Sequence, residues 1–361
     1  MGKFTTMRSI SRTRVVLTTT AVALAALVAA CSSPPPPPAP PPVVQAPPPP
    51  PPITLSSSLV ERASAFRGYM ARAAAVSSSF QNGDQIQASL KVGAAYEPKS
   101  FMNGAVAYAA VLALQDPTFV SSVREVAANP AQRQQMITNI FSNPSYAAVF
   151  KGSDSAAGLI IDTLGNDGLK VYMAGKAVKQ SAYDVQKATW SKSFVVDRDG
   201  RLAAAKSLSA TPALAESADV AVLQSASTGG QSLGLTPRAA PAPYQPVVIR
   251  GLAVAALAAL GAAGDDNVTS IDALSNDPGT SNCLSMAKLN LYQCLAVSKP
   301  HYEDIFCLGQ HILMDTGVCM IKAAGASLPP EPAPPPKPEP VSTKKTLAKK
   351  GSTKKSSAKK G

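Results

Sequence analysis

The chain has 361 residues, 33 prolines, two histidines and a formal net charge of +12 at pH 7. That charge sits at the ends: four basic residues precede Cys31, residues 327–361 carry +7, and residues 31–326 are nearly neutral at +1. This distribution excludes a body-wide surface for acidic partners and confines any such argument to the tail.

The first segment is basic (Lys3, Arg8, Arg12, Arg14) and continues into an apolar run from Val15 to Ala30 broken only by three threonines, the pattern of an export signal. The run is shorter than the roughly 20 residues of a spanning helix. It ends in Val28-Ala29-Ala30-Cys31, followed by Ser32-Ser33 and prolines. This tetrapeptide resembles the lipobox of bacterial lipoproteins. The resemblance implies removal of residues 1–30, acylation of Cys31 (palmitate among the chains) and a lipid anchor in the cell envelope. Acyl chains contribute about 0.8 kcal/mol per buried CH₂, and two or three together hold stably. Ser32 after the cysteine is similar to the outer-membrane sorting pattern, which implies an outer-membrane protein facing the periplasm.

Residues 31–53 then form a stalk. Fourteen of the nineteen residues from Pro34 to Pro52 are proline, with no glycine and no charge. Such a segment favours polyproline II, about 3.1 Å per residue and hence roughly 60 Å in reach.

The body is alanine-rich, and its apolar residues recur at helical spacing: Leu59, Ala63, Phe66 and Met70, then Val106, Ala110 and Leu114. The expectation is a mainly α fold, with a helical domain over 54–225. Asp116-Pro117, Asn129-Pro130 and Asn143-Pro144 mark three helix starts, because the Asx side chain accepts from the first turn and proline at the first position has no donor to waste. A longer helical pattern over 155–187 is expected to break at Gly165-Asn166-Asp167-Gly168, and Asp197-Arg198-Asp199-Gly200 reads as a turn. Residues 226–246, with Gly229-Gly230 and four prolines, read as a loop or linker and as the candidate domain boundary. The apolar run from Gly251 to Ala263 is of core-helix length.

The segment 247–326 carries four cysteines, Cys283, Cys294, Cys307 and Cys319. In an exported chain an even set reads as disulfides, and four cysteines allow three pairings. Two helices, 282–297 and 302–323, are separated by Ser298-Lys299-Pro300. If they fold back as a hairpin, residues of constant index sum face each other, which nests Cys294–Cys307 inside Cys283–Cys319. Eleven residues separate the first helix's cysteines, close to three turns, whereas twelve on the second leave about 120° of misalignment. The arrangement is similar to the twin-cysteine helical hairpins of the mitochondrial intermembrane space, although the spacings are longer. His301 and His311 flank Cys307 near Glu303 and Asp304, a donor set zinc uses; an oxidising compartment favours the disulfide instead. No metal and no cofactor are expected.

The tail, residues 327–361, has a second proline segment and then Lys344-Lys345, Lys349-Lys350, Lys354-Lys355 and Lys359-Lys360, one pair every five residues. With so little apolar surface it is expected to be disordered and to bind polyanions through many weak contacts. Cell wall and lipopolysaccharide are the expected partners of the tail, and the membrane that of Cys31; an unidentified protein partner remains open. Among catalytic patterns, Ser285-Met286-Ala287-Lys288 has the serine–lysine spacing of penicillin-recognising enzymes but lacks a Lys-Thr-Gly partner. Asp265 and Asn267 lack the glycine and closing glutamate of a calcium loop.

The function expected from the sequence is a membrane-anchored structural or tethering lipoprotein and not an enzyme. A helical binding subunit of an envelope complex is the alternative, and a cell-wall-acting enzyme the third reading.

Overall fold

In the computed structural model, residues 49–330 are described. The expected signal segment, Cys31, the expected stalk up to residue 48 and all eight paired tail lysines lie outside them. The described residues belong to one compact unit and are mainly helical; among them the only β pairing is two isolated bridges.

Helix α1 (Ser57–Ala74) buries Leu59, Ala63, Phe66 and Met70 as the period requires, with Ser56 Oγ accepting from the Leu59 amide. After α2 (Gly83–Ala94), helix α3 (Pro98–Ala113) is buried almost all round from Phe101 onward. The three Asx-Pro starts appear as expected. Asp116 caps α4 (Pro117–Ala127), Asn129 caps α5 (Pro130–Ser142), and Asn143 caps a 3₁₀ segment (Pro144–Val149), shorter than the α-helix expected there.

Helix α6 (Ser153–Asp184) runs unbroken through Gly165–Gly168, contrary to the turn expected there. The glycines serve contact with another helix. A Cβ on Gly168 would lie 3.0 Å from the Gly317 carbonyl, and one on Gly175 would lie 2.6 Å from the Met314 amide. Gly309 and Gly317 answer from the other side, where a Cβ on either would meet α6 backbone at under 3 Å. Helix interiors tolerate glycine when the close approach it permits recovers the roughly 1 kcal/mol it costs.

Two short helices follow, α7 (Thr189–Lys192) and α8 (Arg198–Ser209). Asp197-Arg198-Asp199-Gly200 is the start of α8 and not a free turn: Asp197 Oδ1 accepts from the Gly200 amide at 2.8 Å. Beyond α9 (Ser217–Ser227), the proline-rich segment up to residue 245 is irregular and lies in the same compact unit as the helices on either side. It lies across α6, where a Cβ on Gly158 would meet the Arg238 carbonyl, and Ala240 donates to the Asp154 carbonyl at 3.0 Å. Helix α10 (Pro246–Ala259) then enters the same core as α3, with every residue from Gly251 to Ala259 buried.

The chain closes with α11 (Val268–Ser275), α12 (Pro278–Val297), α13 (His301–Cys307), a π-helical stretch (Leu308–Met314) and α14 (Asp315–Ala324). His301–Ala324 is long and apolar enough to cross a membrane, yet two thirds of its most apolar window is buried in the fold, as in a core helix.

Candidate functional site

The two expected bonds are present: Cys283–Cys319 with Cα atoms 5.7 Å apart, and Cys294–Cys307 at 5.6 Å. The misalignment expected on the second helix is absent because of the π stretch between its cysteines. A π turn absorbs one extra residue without advancing the helix face. Twelve residues therefore rotate like eleven, about 20° from three full turns on both helices.

The hairpin turn is held from α8. Arg201 forms a fully buried ion pair with Asp304 and donates a second bond to the Leu295 carbonyl. Asp304 also accepts from Ser298 Oγ at 2.8 Å and from Gln87 Nε2 at 3.3 Å. Arg198 donates to the carbonyls of Ser298 and Ala296, so the last turn of α12 has its free acceptors filled by arginines. Nothing in the local sequence marks Arg201 for this role, since its partner stands 103 residues away.

Two open cavities flank the turn. One, of about 460 Å³, is bounded by Tyr183, Val297, Tyr302, Phe306 and the Cys294–Cys307 bond. The other, of about 450 Å³, lies between α2 and α8 and is bounded by Asp84, Lys91, Val196, Asp197, Arg201 and His301. The two histidines have different surroundings. His301 stacks over Gly83, with Nδ1 buried and unpartnered, while His311 Nδ1 lies 3.4 Å from Asp315 and its ring meets the edge of Phe306. Among the described residues no group of three or more His, Cys, Asp or Glu side chains is placed to hold a metal ion.

The serine–lysine pattern does not assemble. Ser285 is exposed and donates to the Ser281 carbonyl. Lys288 is buried on the other side of α12: its Nζ donates to the Ala94 carbonyl at 2.8 Å and lies 3.3 Å from the centre of the Tyr96 ring. Burial pushes the Lys288 ammonium well below the ordinary lysine value of 10.5, against the weaker pull of Glu97. Burial likewise raises the phenols of Tyr69 and Tyr96 above 10.0. Between the depressed value and 10.5 the unfolded chain binds more protons at Lys288, so its contribution to stability grows with pH and is lost as pH falls. The tyrosines act oppositely, their contribution being lost as pH rises beyond 10. Lys288→Met is therefore expected to flatten the rise in stability between pH 7 and 10 while leaving the alkaline loss intact. Urea unfolding across that range checks it, and equal slopes in the two proteins would refute the assignment. Ser209 Oγ still serves the Ala94 carbonyl in the variant.

No family model, curated protein or solved structure matches this chain.

Proposed function

We propose that the protein is a lipid-anchored tether of the cell envelope, fixed in a membrane through acyl chains on Cys31 and reaching an anionic envelope component through its lysine pairs. The observation that carries this reading is where the two flanking segments leave the body. Pro51 and Pro52 pack on Gly261, the Thr54 amide donates to the Ala258 carbonyl at 3.1 Å, and the Ser56 amide donates to the Ala263 carbonyl at 2.8 Å. The stalk thus joins at the C-terminal end of α10. Gly325, where the last helix ends, packs on Gln245 at the N-terminal end of that same helix. The fourteen residues of α10 set these exits about 21 Å apart and at opposite ends of a buried rod.

Two disulfides fit an oxidising compartment, in keeping with export. Ser32 supports an outer-membrane site facing the periplasm. The test compares residues 49–361 with residues 49–330 in co-sedimentation with purified cell wall and with lipopolysaccharide vesicles over a salt series. The longer protein is expected to pellet at low salt and to be released by salt, in proportion to the lysines engaged, while the shorter one stays in solution. Equal behaviour of the two would refute the tether.

A further inference from the structure

Between α7 and α8 the chain runs extended beside the hairpin turn. The Val195 amide donates to the Lys299 carbonyl at 2.9 Å, the His301 amide donates to the Ser193 carbonyl at 3.2 Å, and Phe194 bridges Pro300 in antiparallel fashion. Neighbouring residues of a strand direct their amides and carbonyls to opposite edges. Those of Phe194 and Val196 therefore face away from the hairpin, and they have no hydrogen-bond partner among the described residues. The side chains alternate as well. Val195 is 8 % exposed, whereas Phe194 is 66 % and Val196 fully exposed.

An edge with free main-chain donors and acceptors and outward apolar side chains is a template for another strand. A lipid surface does not satisfy backbone amides, and the chain's own proline segments lack the N–H groups a ladder needs. The cavity between α2 and α8 opens beside Val195 and Val196. Its Arg201 is neutralised by Asp304, leaving the carboxylates of Asp84 and Asp197 against Lys91 alone, a lining that favours a cationic side chain.

We propose that the Phe194–Val196 edge binds an extended, proline-free segment of another protein by strand addition, with aliphatic residues over Phe194 and Val196 and a Lys or Arg entering the adjacent cavity. Main-chain bonds supply the affinity in this mode, and the pocket supplies the selectivity. The site is separate from the tail and stands whether or not the lysine pairs bind a polyanion.

A random octapeptide library selected on the full chain in detergent tests it. Enriched peptides are expected to be free of central prolines, to alternate β-branched or aromatic residues with Lys or Arg, and to lose about tenfold in affinity on Val196→Pro, which removes one ladder donor. Val196→Ser, at a fully exposed position and so compatible with folding, removes the apolar contact without adding charge and is expected to weaken the same peptides, while Val297→Ser near the other cavity leaves them unchanged. Absence of enrichment, proline-rich winners, or binding to the Val196 variants as tight as to the wild type overturns the proposal. Binding that appears only after deletion of residues 331–361 makes the tail the occupant and overturns it too. So does concentration-dependent self-association abolished by Val196→Pro, which makes the occupant a second copy.

Discussion

Arg201→Met is expected to lower the thermal midpoint of the body by roughly 10 °C, the equivalent of about 3–5 kcal/mol for stranding a buried charge in a protein of this size. The side chains of Arg201 and Asp304 are 2 % and 0 % exposed, so water does not replace the lost partner. Ser298 and Gln87 remain as donors to Asp304, but both are neutral. The double variant Arg201→Met with Asp304→Leu is expected to recover most of the loss, since removing both charges eliminates the penalty that removing one creates. Thermal melts followed by circular dichroism on the two variants check this. A double variant no more stable than the single would mean that the charge pair itself, and not the avoidance of a lone charge, stabilises the turn. The effect extends to the strand edge, because the Val195 and His301 amides pair across this turn.

Loss of the two disulfides is the second large effect expected. The bonds close loops of 36 and 13 residues. Constraint of the unfolded chain then contributes about 4 and about 3 kcal/mol respectively. Replacing Cys283 and Cys319 by Ser is thus expected to cost about 1 kcal/mol more than replacing Cys294 and Cys307. Reducing agent is expected to lower the midpoint of the wild type and to leave a variant without all four cysteines unchanged. The reverse order of the two pairs would show that local packing at the turn, where Cys307 is fully buried, outweighs loop entropy. No shift on reduction would show that the glycine contacts between α6 and the last helices hold the hairpin unaided.

How much of this architecture could be read in advance depends on the range of the interaction responsible. The helix starts at Asp116, Asn129 and Asn143 were legible because an Asx side chain bonds to amides two or three residues on. The disulfide pairing was legible because a break at Ser298–Pro300 sets a hairpin register, and a register needs only the positions of the cysteines. The serine–lysine pattern failed as a site for the same reason that it could be seen at all: spacing along a helix says nothing about what the opposite side meets, and Lys288 meets Tyr96 and the Ala94 carbonyl.

By itself the sequence determined the mainly helical class, the caps, the buried run of α10 and the nesting of the cysteines, all features governed by neighbours along the chain. Only the tertiary structure decided that α6 continues through Gly165–Gly168, that a π turn brings Cys307 and Cys319 onto one face, that Arg201 and Asp304 meet, and that Phe194–Val196 lies as an open edge beside the turn. Each of these depends on a partner distant in sequence. A glycine breaks a helix when water is the alternative and sustains one when another backbone fills the place a Cβ would take.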